Sequence, residues 1–353
     1  MTPGMRHPLI ALALLLLTAC AEKTHPPQVY KYTFFSMGTQ IDLSLFDVDP
    51  ARSEQIATAI ERDFTALNTA WNPWGNGDLG QLNTALKKNQ PATVNQALQE
   101  LIENARILAR DSDGLFNPGV GGLVTLWGFN EAATQMPSGP PPTQAALDVW
   151  LKRHDSLANL KIQNLTLSGH KPGLILDFGG YAKGYAVDKA IQHLTDLGVK
   201  NAIVNAGGDL RAIGSKGGRP WMIGIRDPRG PGMLAALPVR DGEAVFTSGD
   251  YERFYEYQGH RYHHIFDPRT GYPTQETASV TVVYNAGAKA DASATALMVA
   301  GPQHWQSTAK RLGVRQIMLV ATDGTVYITS ALQTRIQFEK SPAKLIVGDV
   351  DAH

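Results

Sequence analysis

Cysteine is all but missing: the 353 residues include one, Cys20. A single thiol permits no internal disulfide, no cysteine metal site and no thiol nucleophile. Net charge is missing too, since 32 Lys and Arg residues balance 32 Asp and Glu. Without a basic field, neither nucleic acid nor an anionic membrane surface is favoured as a partner. The chain has no G-x-G-x-x-G turn, no Walker A loop and no G-x-S-x-G elbow, so three common nucleotide and hydrolase frameworks lack support. Internal repeats are absent as well. What remains is 43% apolar and 18% charged, a globular composition long enough for a large core in one or two domains.

Only one long hydrophobic run stands out. Leu9 to Leu17 follows Arg6 and His7 and is too short to span a bilayer comfortably, so 1–19 read as a secretory leader. The run closes on Leu17-Thr18-Ala19-Cys20, which resembles a bacterial lipobox; an ordinary signal peptide with a coincidental cysteine is the alternative. Cleavage before Cys20 would leave a lipid-bearing cysteine and a polar tether over 20–29. Ala21, not aspartate, follows the cysteine, so inner-membrane retention is not signalled and outer-membrane sorting stays open. An exported chain without disulfides must draw its stability from its core.

Along the mature chain, Tyr30 to Phe46 reads as a strand pair or bent strand, with a bulge allowed at Gly38. Met37 beside it is placed to pack on a flat ligand or, as methionines usually do, in the core. Ser53 to Trp71 carries Ile56, Ile60, Phe64 and Leu67 at helical spacing, and Asn95 to Asp111 does the same with Leu98, Leu101, Ile102 and Leu108. Between them, Asn72 to Gly77 is turn-rich, and Trp74 is either a lid over an aromatic ligand or an edge of the core. Met136 to Thr143 contains four prolines and reads as a surface connection before a helix over 144–154. Asn164 to Ser168 and Leu174 to Asp177 are expected to form a hairpin. Short strands follow at 202–205, 221–226, 243–247 and 279–284, then small-residue helices at 288–300 and 303–312, and a last hairpin turning at Asp323-Gly324. Strands arriving in pairs between helices favour an α+β fold, with mixed or antiparallel sheets and helices packed on them.

Three glycine-rich turns punctuate the chain: one over Asp113–Gly122 after a helix, and two after strand-like segments, at Asp177 and at Asn205. The fullest is Asp177-Phe-Gly-Gly-Tyr-Ala-Lys-Gly-Tyr-Ala-Val-Asp188. A glycine turn into a helix start gathers bare N–H groups, the helix dipole and a cation, which suits an anionic ligand. The carboxylate of Asp177 would repel that anion unless a cation intervened; a purely structural turn is the other reading. Asp291 and Thr295, four apart, share one helix face and offer hard oxygen ligands of the kind Mg²⁺ or Ca²⁺ prefers. The alternative is a cap and a packed threonine. His263 and His264 alternate on a strand with no third ligand in register, which argues against zinc. A half-buried histidine there could take a proton from an attacking hydroxyl.

Together with Ser36-Met37-Gly38-Thr39 and the lipobox, the ordered motifs Asp177–Asp188, Asn205-Ala-Gly-Gly-Asp209, Ser248-Gly249, His264-Ile-Phe-Asp-Pro-Arg-Thr-Gly271 and Asp291-Ala-Ser-Ala-Thr295 resemble the ApbE family of flavin transferases. The resemblance covers nearly the whole mature chain. It implies a T-fold-related ApbE-like domain over 30–340, as one unit or as two subdomains with FAD between them, and a tail over 341–353. It also implies Mg²⁺-dependent transfer of FMN from FAD to a Thr or Ser hydroxyl of an acceptor protein, with release of AMP. The implied acceptors are subunits of Rnf- and Nqr-type electron-transfer complexes, and the implied location is the periplasmic side of the inner membrane. Carried onto this sequence, Met37, Trp74, Leu115 and Phe116 would contact the flavin side of FAD. Asp177 and Lys183 would bind the nucleotide, with Ile265 lining the pocket. Mg²⁺ would be held by the Gly180 carbonyl, Asp291 and Thr295, and His264 is the candidate base. Two departures stand out: Gly180 has no side chain where some members have threonine or alanine, and Phe266 replaces a usual aliphatic.

Overall fold

The computed structural model describes residues 28–130, 137–153, 157–169 and 172–350. The leader, Cys20 and the tether up to 27 lie outside the described residues. Among those described, no helix is long and apolar enough to cross a membrane.

The chain begins with a tight hairpin, Val29–Ser36 against Thr39–Phe46, whose register runs unbroken from Val29↔Phe46 to Ser36↔Thr39. Gly38 therefore makes no bulge. Met37 (φ 52°) and Gly38 (φ 74°) form the two-residue turn itself, a left-handed pair matched to the twist of the strands. Helix α1 (Pro50–Trp71) starts under an Asp49 cap that accepts the Arg52 N–H at 3.1 Å, with Pro at the first position where no donor is needed. Helix α2 (Asp78–Lys87), which the turn signals of 72–77 obscure, buries Leu79, Leu82, Asn83 and Leu86. Helix α3 (Gln96–Asp111) is capped by Asn95, and the short α4 (Gly121–Leu126) and α5 (Gln144–Arg153) follow.

The expected hairpin between 164–168 and 174–177 does not form. Thr166–Ser168 pairs instead with Lys161–Gln163, through a left-handed turn at Asn164 and Leu165. Leu174 to Asp177 runs extended without a strand partner, because other groups satisfy its backbone. The Asn83 side chain donates to the Leu176 carbonyl at 2.9 Å and accepts its N–H at 2.8 Å. Pro118 O accepts the Asp177 N–H, and Ile175 O accepts that of Gly121. One primary amide thus does the work of a strand neighbour.

Helix α6 (Ala182–Asp196) stops at Gly198 (φ 76°), where Val199 N–H returns to Leu194 O. Helix α7 (Gly287–Leu312) breaks at Gly301 (φ 69°) ahead of Pro302, so the two helices expected from 288–300 and 303–312 are consecutive segments.

Nine strands form the central sheet, in the order Val29–Ser36, Thr39–Phe46, Ala202–Ala206, Asp209–Ile213, Ala244–Gly249, Thr277–Tyr284, Gln316–Ala321, Thr325–Ile328 and Lys344–Val347. Every neighbouring pair is antiparallel except the last, which is parallel. The stretch read as a tail over 341–353 thus supplies an edge strand; its four residues are too few to announce themselves by alternation. One face of the sheet carries α1, α3, α6 and α7 over the main core, and the other is covered by a three-stranded sheet of Trp221–Arg226, Met233–Val239 and Gln337–Phe338. Thr277–Tyr284, covered on both faces, is buried at seven of its eight positions, the hydroxyl residues Thr277, Ser279 and Thr281 included. A third, aromatic cluster gathers Trp127, Phe129, Tyr255 and Phe266 beside the Phe254–Tyr257/His260–His263 hairpin. The architecture is the expected α+β one.

Candidate active site

The site grows from the crossing of α6 and α7. Neither helix caps itself with a side chain at its N-terminus; each is capped by an aspartate of the other. Asp188 of α6 accepts the Gly287 and Ala288 N–H groups at 2.8 and 2.9 Å, and Asp291 of α7 accepts the Gly184 N–H at 2.9 Å. This clasp requires close backbones. A Cβ on Gly184 would lie 2.3 Å from the Gly287 carbonyl oxygen, and one on Gly287 would lie 2.7 Å from that of Gly184. The alanines at 290, 292, 294 and 296 are fully buried and let α7 settle against α6 and the sheet.

The clasp brings the three expected metal ligands together. Gly180 faces Thr295 so closely that a Cβ there would sit 2.7 Å from Thr295 Oγ1, and Asp291 lies one turn back on α7. The Ser248 hydroxyl, on the adjoining strand, is 3.3 Å from that of Thr295. Lys183 reaches across to Asp209, the first residue of the strand Asp209–Ile213; Asp209 also accepts the Thr247 N–H at 2.8 Å. Burial drives the Asp291 carboxyl above its ordinary range; Lys183 pulls it back, while Asp209 and the exposed Glu252 push it up. Burial alone would lower the Lys183 ammonium, but the charges of Asp209, Asp291 and Glu252 hold it above its usual value.

Carboxylates outnumber cations here, and the donors are one buried carboxylate, two hydroxyls and main-chain oxygen. Such a set suits a hard divalent cation. Among the described residues no group of three or more His, Cys, Asp or Glu could hold a metal, so a cation here would depend on neutral oxygens and a ligand's phosphate. The residues present fit Mg²⁺ on those terms. Asp177 borders the turn: its Oδ1 accepts the Gly179 N–H at 2.7 Å, burial raises its carboxyl, and that bond together with the charge of Arg253 opposes the rise.

The paired histidines divide their roles. His263 is buried and satisfied, with Nε2 2.6 Å from the Thr274 carbonyl and Nδ1 accepting the Ile265 N–H. His264 is half-buried, and its Nδ1 lies 3.2 Å from the Arg253 carbonyl. A carbonyl only accepts, so Nδ1 carries the proton and Nε2 keeps its lone pair. Packing around the ring, then the charges of His263, Arg253 and Lys183, push this imidazole down to about 3, leaving it neutral near pH 7.

The expected flavin contacts occupy more ordinary places. Leu115, Phe116 and Ile265 are buried in the main core, Met37 packs against it, and Trp74 packs against the aromatic cluster. Trp71, three residues before Trp74 but in the main core, packs edge-on to Tyr185 at 5.4 Å. Sequence reasoning overlooked Asp209 and Arg253 at the site, and Asp188 in the clasp that builds it. Asp188 and Asp209 each close a glycine motif, and that shared position was the available signal.

A sequence model of the ApbE family matches residues 37–318. The FAD:protein FMN transferase of Rhodobacter capsulatus is 35% identical over 343 residues, covering 97% of this chain and 65% of the relative. The chain thus spans about two-thirds of that relative's length. The enzyme of the same name from Treponema pallidum is 36% identical over 286 residues, 75% of this chain and 77% of the relative. The crystal structure of the ApbE protein from Thermotoga maritima superposes with a TM-score of 0.79 at 32% identity, covering 89% of this chain and all of that one.

Proposed function

The chain belongs to the ApbE family, and on that footing we propose that it transfers FMN from FAD to a Ser or Thr hydroxyl of an acceptor protein and releases AMP. The observation that carries this reading is the α6–α7 clasp, which sets Gly180, Asp291 and Thr295 beside one another and next to the Lys183–Asp209 pair.

The reaction is a phosphoryl-type transfer. The acceptor oxygen bonds to the FMN phosphorus, the bond from that phosphorus to the oxygen bridging to AMP breaks, and AMP leaves with the bridging oxygen. The hydroxyl proton goes to a base, for which His264 offers an unprotonated Nε2. With no ligand beside it, the His264 imidazole pushed down to about 3 is a weak acceptor, but a diphosphate nearby would raise it again. Lys183 and the glycine-turn N–H groups would meet the negative charge of the diphosphate. Gly180, Asp291 and Thr295 would hold Mg²⁺, which when bound neutralises the diphosphate and stabilises the leaving group. In this reading Met37 and Trp74 would meet the flavin end, and Asp177 the nucleotide. In the same reading Cys20 is lipidated and tethers the domain on the periplasmic side of a bacterial membrane, where subunits of Rnf- or Nqr-type complexes would be acceptors.

Incubation with FAD, Mg²⁺ and a candidate acceptor domain tests the reading. A fluorescent acceptor band and one equivalent of AMP are expected. Free FMN with AMP would make the chain a hydrolase, and intact FAD a binder; either result overturns the transferase assignment.

A further inference from the structure

Arg253 is an unusual arginine. Its Nη2 donates to the Phe129 carbonyl at 2.6 Å, and its guanidinium lies 5.7 Å from the Phe129 ring. Among the described residues no carboxylate comes within salt-bridge distance of it, and its Nε is buried without an acceptor. Burial lowers its pKa, and Asp177 offsets this only by charge at a distance. A structural tie gains nothing from an unmade buried bond and an unpaired charge. Its main-chain oxygen, meanwhile, receives both the backbone N–H and the Nδ1 of His264, each at 3.2 Å.

Resting on the reading of His264 as the base, we propose that Arg253 is its positioning residue. Its carbonyl holds the imidazole in the Nδ1–H tautomer, and its guanidinium pins that carbonyl against the segment just past α4. Phe129 completes the arrangement, since its ring lies 6.4 Å from the His264 ring and its carbonyl anchors the arginine. The charged groups facing His264 are Arg253, Lys183 and, when protonated, His263. Of these, Arg253 alone also supplies the backbone carbonyl that orients the ring. A base fixed this way presents Nε2 to one place only, a condition for proton transfer in a positioned complex.

The experiment follows the imidazole directly, by ¹⁵N-histidine NMR over pH in the full chain, and in parallel the pH profile of kcat/KM. In the wild type, His264 should stay in the Nδ1–H tautomer. In Arg253→Gln the tautomers should mix and the titration should move to higher pH by about one unit, because a neighbouring positive charge is gone. The acid limb of kcat/KM should move the same way, with kcat roughly ten- to a hundredfold lower and FAD affinity within about twofold. Arg253→Lys keeps the charge and should restore most of the titration but not the single tautomer; it also serves if the glutamine variant fails to fold. An unchanged tautomer in both variants, or equal losses in kcat and FAD affinity with no pH displacement, overturns the proposal. The NMR arm reads His264 whether or not flavin is transferred, so failure here is distinct from failure of the transferase reading.

Discussion

The starts of α6 and α7 are made of the same parts, an aspartate from one helix meeting the bare N–H groups of the other, yet they differ electrostatically. At the start of α7, Asp188 engages both oxygens: two backbone N–H groups, with Arg211 Nη1 added at 2.7 Å. At the start of α6, Asp291 accepts one N–H and is crowded by Asp209 and Glu252, with Lys183 already drawn to Asp209. The first cluster is closed. The second has a charge deficit that only a cation or an acid proton relieves. A folded chain tolerates such a spot when something binds there, and the comparison thus separates a structural aspartate from a functional one on pairing alone.

The largest effect should come from Asp291→Asn. Its amide oxygen can still accept the Gly184 N–H, so the fold should hold while flavin transfer falls on the order of a thousandfold; activity assays on protein of matched urea midpoint check this. A variant that loses stability instead of activity would erase the distinction between the two aspartates. Asp188→Asn is expected to do the reverse. It leaves Arg211 without its counter-charge and should cost about 2 kcal/mol in urea unfolding, with near-normal turnover in the folded fraction. Gly184→Ala tests the closeness of the clasp itself. Its Cβ would be driven into the Gly287 carbonyl, destabilising by roughly 1–3 kcal/mol and weakening metal-dependent activity together with stability.

The smallest effect is a pH dependence. Because burial raises the Asp291 carboxyl in the folded protein, its protonated form is the one folding favours. Its contribution is full below the unfolded carboxylate range, about pH 4. It is lost as pH climbs from there through the raised folded value, and is flat beyond. In EDTA, the wild type should therefore lose about 1 kcal/mol more than Asp291→Asn across that window. Added Mg²⁺ should recover the loss in the wild type and do nothing for the variant.

Much of this was legible in sequence. The 3.6-residue stripes of α1 and α3, the Gly198 stop of α6 and the Gly301-Pro302 break in α7 are local signals, each set by a few neighbouring residues. The ordered glycine motifs led to the right family and singled out Gly180, Asp291 and Thr295, which the α6–α7 crossing brings near one another. Other features were hidden. Asn83 looks like any helix polar residue, yet it replaces a strand for Leu176, 93 positions away. Arg253 sits in a stretch where nothing in its neighbours marks it, since its partners are Phe129 and His264. The hairpin expected at 174–177 failed for a related reason: extended segments take whatever backbone partner the fold supplies.

By itself, then, the sequence determined the helices, their stops, the α+β class and the chemical kinds of residue gathered in the glycine turns, because those depend on side-chain spacing and backbone freedom over a few residues. Tertiary structure alone decided that Asp291 caps α6 rather than its own helix, across 107 positions, that Asp188 is sated while Asp291 is not, and which of two adjacent histidines keeps a free nitrogen. Charge balance and hydrogen-bond saturation belong to a place in space, and many distant parts of the chain must meet before that place exists.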